Sequence, residues 1–174
     1  MSNDAVGPFV TKLVISLIAL ILIGPLSIDI PTIPLTLQTF VLVVTAYWFR
    51  WSAVFAAVIY ILAGLAGLPI FSGFEANPAI LLSPSAGFVI GFPVMSLSVV
   101  ILQNNSTGFF KALMLFLVAH VTLIMFAVIY NYFAGFSFIG FTYIFLRLMP
   151  SLLIKSILAS LVVNYVGVPK RLRA

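Results

Sequence analysis

The sequence predicts an all-α integral membrane protein with about six transmembrane helices in a single domain, residues 1–174. Composition is the first reason, because 64% of the residues are hydrophobic and only 6% are charged. A soluble domain has roughly a quarter charged residues, and a chain of this length buries only about 70% of its unfolded surface. Six apolar runs and a one-sided distribution of basic residues are the other two reasons.

The apolar runs approach the roughly 17 to 25 residues that a membrane-spanning helix needs. In chain order they are Phe9–Leu26, Leu35–Phe49, Trp51–Leu68, Ala79–Leu102, Ala112–Tyr132 and Tyr143–Val168. We expect the first run to be a retained helix rather than a signal peptide, because Asp4 weakens a basic N-terminal region and no small-residue cleavage site follows. The second and third runs meet at Arg50, which predicts a tight helical hairpin.

Basic residues gather on one side of the predicted membrane. With a cytoplasmic N-terminus, the inner side receives Lys12, Arg50, Lys111, Lys170, Arg171 and Arg173. Only Arg147 falls near the outer side, where Asp29 and Glu75 lie in connections. Lys and Arg are enriched in cytoplasmic loops, so we expect both termini in the cytoplasm and a multi-pass protein of the cell (inner or plasma) membrane.

The outer connections contain the residues that shape a backbone. Segment Ser27–Thr36 has two prolines, and segments Pro69–Pro78 and Gly135–Thr142 contain glycine and phenylalanine. Proline restricts φ and glycine frees it, so these segments are expected to be shaped loops rather than helix extensions. Binding residues often lie on loops that a rigid scaffold holds, so a ligand site is expected at the outer face.

The residue inventory argues against several classes of function. The chain has no cysteine, one histidine and three acidic residues, and the acidic residues lie outside the apolar runs. A metal site or an enzyme would need more ligands or a nucleophile–base pair, so we expect no metal, no cofactor and no enzymatic activity. A phosphate-binding G-x-x-x-x-G-K-[ST] motif is also absent. Because the basic residues are scattered, nucleic acid is not an expected partner, and the lipid bilayer is.

Lys155 is the residue that points most directly to function. It lies about twelve residues from either end of the last apolar run, where a charge costs about 2.5–3.5 kcal/mol. With 100° of rotation per residue, Arg147, Ser151 and Lys155 form one polar stripe. This stripe is expected to line a ligand pocket, with Lys155 donating hydrogen bonds or meeting an anion. The alternative is a lysine that snorkels or bonds to backbone carbonyls.

Three further polar sites have competing interpretations. For His120 we favour an interhelical hydrogen bond over a ligand role. Asn131 lies on the same helix face. Gln38 offers a donor and an acceptor that could bind a cyclic urea or amide, or it is a packing residue. Segment Ser83–Phe92 predicts a helix start capped by Ser83 or Ser85, with small residues that leave room for a ligand or for helix packing.

Together these segments resemble the BioY family, the substrate-binding S-components of energy-coupling-factor (ECF) vitamin transporters. Pro34–Thr39 resembles the family's P-x-T-x-Q signature, and Tyr60–Phe71 is similar to its Y-x-x-x-G-x-x-G-L-P-V-F segment. Ser83–Phe92 resembles its G-P-T-G-G-Y-x-x-G-F segment. Lys155 matches the lysine of P-G-D-x-x-K, with Pro150 in place and Leu152 where the family has aspartate.

The resemblance implies an S-component-like bundle that binds a small-molecule vitamin, biotin, in an outward-facing pocket. A membrane coupling subunit and cytoplasmic ATPases would energise uptake. The expected substrate-binding residues are Gln38, Phe71, Asn77, Ser85, Gly87, Phe88, Arg147, Ser151 and Lys155.

Two alternatives to biotin uptake are open. The first is the same fold carrying a different small heterocyclic vitamin or precursor, which the leucine at position 152 suggests. The second is a membrane scaffold that transports nothing. A stabilising vitamin other than biotin would support the first alternative, and tolerance of Lys155→Leu, Gln38→Leu and Ser85→Leu without loss of transport would support the second.

Overall fold

The computed structural model is a helical bundle with one short β-hairpin, and it describes residues 3–30, 33–74, 76, 78–103, 108–136 and 138–166. The helices are α1 (Asn3–Leu22), α2 (Gln38–Phe49), α3 (Trp51–Leu65), α4 (Ala86–Ile90), α5 (Phe92–Leu102), α6 (Phe109–Phe133) and α7 (Phe138–Tyr165). Strands β1 (Ser27–Ile30) and β2 (Ile33–Thr36) lie between α1 and α2, and 3₁₀ turns at Ser72–Phe74 and Pro78–Leu82 lie between α3 and α4.

Each predicted apolar run overlaps a helix, although the first extends past the end of α1, the second begins in β2 and the fourth is divided. Its first part is a 3₁₀ turn, and α4 and α5 then follow with Gly91 between them. Pro93 near the start of α5 has no N–H for the carbonyl four residues earlier, and its ring crowds that carbonyl. The division therefore has a local cause that an average over hydropathy cannot detect.

The segment Ser27–Thr36, predicted as a shaped loop, is an antiparallel hairpin. Ser27 pairs with Thr36 and Ile30 with Ile33. The β-branched isoleucines of both strands suit an extended backbone, and the pairing satisfies polar backbone groups at the end of the bundle. Strand β2 lies against α7, so the hairpin closes one end of the bundle over the last helix.

The predicted hairpin of α2 and α3 is confirmed, because the single residue Arg50 separates the two helices. Arg50 has a φ of 51°, which reverses the chain at once. Its guanidinium donates to the carbonyl of Val100 at 3.3 Å, and Gln103 Nε2 donates to the carbonyl of Tyr47 at 3.1 Å. These bonds satisfy carbonyls in the last turns of α5 and α2, which have no partner within their own helices.

Helix α2 is at the centre of the bundle. It packs against α1, α3, α5 and α7, and most of its residues are buried. The apolar core around it consists mainly of small and aliphatic side chains, including Leu42, Val43, Ala46, Ala53, Ala56, Ala57, Met95, Val99, Phe116 and Ala119. Small residues allow helices to approach closely, which is how helices associate where the surrounding medium is also apolar.

The outward faces of the helices are apolar. On α6 the exposed side chains include Met114, Val118, Val121, Met125 and Ile129, each roughly half exposed. Within the described residues, two helical stretches are long and apolar enough to cross a membrane, Phe109–Phe133 and Leu148–Tyr165, and the other apolar helices are shorter. Exposed apolar faces of this extent are typical of contact with lipid rather than water.

Candidate functional site

A cavity of about 430 Å³ opens at the end of the bundle that carries the β-hairpin and the 3₁₀ turns. Its wall contains residues of β2, α2, α4, α5, α6 and α7 and of the segment between α3 and α4. Seven lining residues are polar: Thr36, Gln38, Thr39, Ser72, Ser83, Ser85 and Lys155. Nine are apolar: Phe71, Ile80, Phe88, Val89, Phe92, Leu123, Ile124, Leu148 and Leu152. The cavity is therefore mostly apolar with a few polar groups, as small-molecule sites are.

Lys155 supplies the positive charge of this cavity. Its side chain is only 2% exposed, and Nζ donates a hydrogen bond to Thr39 Oγ1 at 3.3 Å across the α2–α7 interface. Among the described lining residues there is no carboxylate. The ammonium therefore has spare donors and no described counter-charge, and an acceptor on a ligand would satisfy both needs.

Gln38 lies at the first turn of α2 and is 6% exposed. Its Nε2 donates to the hydroxyl of Tyr60 at 2.8 Å, and that hydroxyl donates to the carbonyl of Ile70. The amide is therefore held by a chain of hydrogen bonds that begins outside the cavity.

Phe71 reaches the cavity because Gly64 leaves space for its ring. A Cβ at Gly64 would lie 2.2 Å from Phe71 Cζ, so a larger residue would displace the ring. The ring also meets Tyr60 edge to face, with centroids 5.9 Å apart and an interplanar angle of 80°. Phe71 thus forms an apolar wall fixed to α3.

Ser83, Ser85 and Phe88 bring the start of α4 to the cavity. Ser85 occupies the predicted cap position, but its side chain makes no capping bond. The Ser83 hydroxyl instead donates to the carbonyl of Ile80 at 2.7 Å and accepts from the Ser85 N–H at 3.3 Å. Asn131 of α6 anchors this segment by donating to the carbonyl of Pro84 at 3.1 Å.

Two of the predicted site residues lie outside the cavity lining. Gly87 packs against α6, where an added Cβ would lie 2.8 Å from Ala127 Cα, so it permits close helix packing. Ser151 is fully buried, and its hydroxyl has no described hydrogen-bond partner. The inward orientation predicted for the polar stripe of α7 holds for Ser151 and Lys155.

The remaining predicted positions lie partly outside the described residues. Asn77 and Glu75 lie outside the described residues, and so does the basic tail Lys170–Arg173. Arg147 lies on α7, one turn before Ser151, and its side chain is outside the described part of the structure.

Sequence reasoning did not select Thr39, Ser72, Ser83 or Leu152 as site residues, although all four line the cavity. Thr39 follows Gln38 directly, and Leu152 lies one turn before Lys155 on α7. Helical spacing relative to Lys155 could have identified Leu152. No signal in the sequence places Ser72 at the cavity, because its position depends on how the 3₁₀ turns fold.

The interhelical hydrogen bond expected of His120 is confirmed. His120 is 1% exposed, and its Nδ1 lies 3.1 Å from Ser156 Oγ of α7 and 2.8 Å from the carbonyl oxygen of Phe116. With a proton on Nδ1, the carbonyl oxygen and Ser156 Oγ both accept from it, whereas in the other tautomer Nδ1 accepts from the Ser156 hydroxyl. His120 does not line the cavity, and within the described residues there is no group of His, Asp and Glu suited to a metal.

Comparisons with known proteins agree with this architecture. The chain is 40% identical over 75 residues to the biotin transporter BioY2 of Lactococcus lactis, covering 42% of this chain and 41% of that protein. It is 31% identical over 93 residues to the biotin transporter BioY of Thermotoga maritima, covering 52% of this chain and 55% of that protein. The matched segments thus span about half the length of these curated relatives or less.

The fold has a solved counterpart. The crystal structure of an S-component for biotin from an ECF-type ABC transporter superposes with a TM-score of 0.79 at 20% identity, covering 95% of this chain and 94% of that one. At this identity the likeness shows a shared fold. The sequence profile of the BioY family matches residues 5–172, and the chain therefore belongs to the BioY family.

Proposed function

We propose that this protein is the substrate-binding membrane subunit of a biotin uptake system. The observation that carries the proposal is a cavity of about 430 Å³ with the buried amine of Lys155 in its wall and mainly apolar side chains around it. Biotin combines an apolar bicycle and chain with a polar ureido group and a carboxylate. A mostly apolar cavity with a few directed donors and acceptors is complementary to such a molecule.

The polar groups of the cavity match the polar groups of biotin in kind. Lys155 offers donors to a carboxylate or a ureido carbonyl, and Gln38 offers an amide to the ureido edge. Ser83 and Ser85 add hydroxyl groups near Phe88. Asn77, Arg147, Ser151 and Gly87 remain expected contributors to binding or to the shape of the site.

We infer a topology of six spans in one transmembrane domain, with α4 and α5 forming a single span and both termini in the cytoplasm. The basic residues support this orientation, because it puts Lys12, Arg50 and Lys111 on the inner side. In this topology the cavity opens to the outside of the cell, where an uptake protein must meet its substrate.

Energy for uptake would come from partner subunits. The chain has no nucleotide-binding loop of the G-x-x-x-x-G-K-[ST] type. A membrane coupling subunit with cytoplasmic ATPases would supply the coupling, as the resemblance to ECF systems implies.

A second candidate function is binding of a different small heterocyclic vitamin by the same cavity. Leu152 favours this alternative, because it lines the cavity at the position where the family motif has an aspartate. A site without that carboxylate loses one acceptor for ligand N–H groups.

Saturation binding of radiolabelled biotin to the purified protein tests the proposal. We expect saturable binding that weakens by about ten- to a hundredfold in Lys155→Met, since a hydrogen bond to a charged group contributes about 1.5–3 kcal/mol. Lys111→Met is the matched control, because Lys111 is exposed at the opposite end of the bundle. Absence of saturable biotin binding contradicts the proposal, and stabilisation by another vitamin in a thermal-shift screen would then favour the second candidate.

A further inference from the structure

Tyr60 lies outside the cavity but contacts Gln38 and Phe71, two residues of the cavity wall. Its side chain is fully buried in α3, and it is not part of the cavity wall. Its hydroxyl lies between Gln38 Nε2, at 2.8 Å, and the carbonyl oxygen of Ile70. A polar group so placed can control the orientation of the Gln38 amide.

Proton counting fixes the direction of these hydrogen bonds. A tyrosine hydroxyl has one proton, and a backbone carbonyl can only accept. The proton of Tyr60 therefore goes to Ile70, and the hydroxyl oxygen must accept from Gln38. Only the nitrogen of an amide side chain can donate, so the –NH₂ end of Gln38 faces Tyr60.

The carbonyl oxygen of Gln38 is then the end left for the cavity. The one side-chain hydrogen bond of Gln38 among the described residues is the bond from Nε2 to Tyr60, and Gln38 lines the cavity. The side chain of Gln38 lies beside Gly24, where an added Cβ would be 3.3 Å from Gln38 Cγ. Reversal of the amide would turn its oxygen toward the Tyr60 oxygen, and the hydrogen bond from Gln38 to Tyr60 would be lost.

We propose that Tyr60 is a positioning residue that presents Gln38 to the ligand as a hydrogen-bond acceptor. The site consequently selects ligands that carry an N–H at this position, such as a cyclic urea or amide, over analogues with an oxygen there. This inference rests on the proposed function, since it assigns a determinant of specificity to the same cavity.

Analogue discrimination is the first test. The probes are biotin and two isosteres in which one or the other ureido N–H is replaced by oxygen. We expect the wild type to prefer biotin over one isostere by at least about tenfold, because two facing acceptors replace a hydrogen bond. In Tyr60→Phe the freed amide can turn and donate, so this preference falls at least about threefold. Tyr47→Phe, near the opposite end of α2, is the control and keeps the wild-type preference.

A double-mutant cycle separates positioning from a purely structural role. Tyr60 also contacts the ring of Phe71, so Tyr60→Phe could weaken binding through the cavity wall alone. If Tyr60 acts through Gln38, Tyr60→Phe weakens biotin binding in the wild type but has little further effect in Gln38→Met. The inference is overturned if Tyr60→Phe lowers biotin affinity equally in the wild-type and Gln38→Met backgrounds. It is also overturned if Tyr60→Phe leaves the analogue preference unchanged. Wild-type protein that binds no biotin contradicts the proposed function instead.

Discussion

Lys155 places a buried ammonium group in the wall of the cavity. Its position within an apolar run predicts an inward orientation, because a charge facing lipid is costly. The structure confirms burial and adds Thr39 Oγ1 as a partner, which residue spacing could not predict because 116 positions separate the two. The orientation follows from local energetics, whereas the partner follows from helix packing.

Replacement of Thr39 by valine tests the bond to Lys155. The variant keeps the shape of the side chain but removes the acceptor, so the ammonium loses its described partner. We expect the ligand-free protein to lose about 1–3 kcal/mol of unfolding free energy, measured by thermal unfolding in detergent. Thr45→Val, whose hydroxyl bonds to the carbonyl of Val41 in its own helix, should cost less. Equal losses in both variants would refute a specific role for Thr39.

The His120–Ser156 bond is expected to contribute to stability rather than to ligand binding. Ser156→Ala removes the interhelical partner of His120 Nδ1 and should lower the unfolding free energy by about 0.6–2 kcal/mol. Ser160→Ala is the control, because its hydroxyl bonds only to a carbonyl of its own helix. A loss of biotin affinity in Ser156→Ala without a change in stability would show that the network belongs to the binding site.

At the scale of elements, the hydropathy pattern predicts the helices and their order but not their interruptions. The runs up to Phe49 and from Trp51 end and begin where α2 and α3 do. The β1–β2 hairpin depends on backbone pairing, and the break at Gly91 depends on Pro93. Neither feature changes the average hydrophobicity of its segment. Short departures from helix are therefore the features that sequence periodicity detects least well.

Close packing of α4 on α6 depends on Gly87. We expect Gly87→Ala to lower the unfolding free energy by about 1–3 kcal/mol, because overpacking forces the backbones apart. The contact is with the backbone of Ala127, which cannot move as a side chain can. Gly7→Ala is the matched control, since no atom lies within 4 Å of an added Cβ there. A neutral Gly87→Ala in thermal unfolding would contradict this packing role.

At the scale of the whole molecule, the proposed topology rests on the apolar outer surface and on the charge distribution. Exposed aliphatic residues cover α6, and Arg50 and Lys111 lie near the end of the bundle away from the cavity. Phe74 in the 3₁₀ turn and Phe110 at the start of α6 mark the two ends, and both are more than half exposed.

Single cysteines can test this orientation without background, because the chain has no native cysteine. We expect Phe74→Cys to react with an impermeant maleimide added to intact cells and Phe110→Cys to react only after lysis. Met125→Cys, exposed in the middle of α6, should resist the polar reagent in both cases because lipid covers it. The opposite pattern at positions 74 and 110 would invert the proposed topology and direct the cavity inward.

Local properties of the chain were enough to predict much of this protein. The length of the apolar runs predicts the helices, and the cost of a buried charge predicts the inward orientation of Lys155. Sequence motifs also indicate Gln38, Phe71, Ser85 and Phe88, and these four residues line one cavity.

The tertiary structure decided which residues meet at the cavity. Tyr60 meets Gln38 and Ile70, and Leu152 reaches the cavity while Gly87 does not. Such contacts depend on helix rotation and on the path of the connections. They join segments far apart in the chain, and periodicity within one segment carries no information about its neighbours in space.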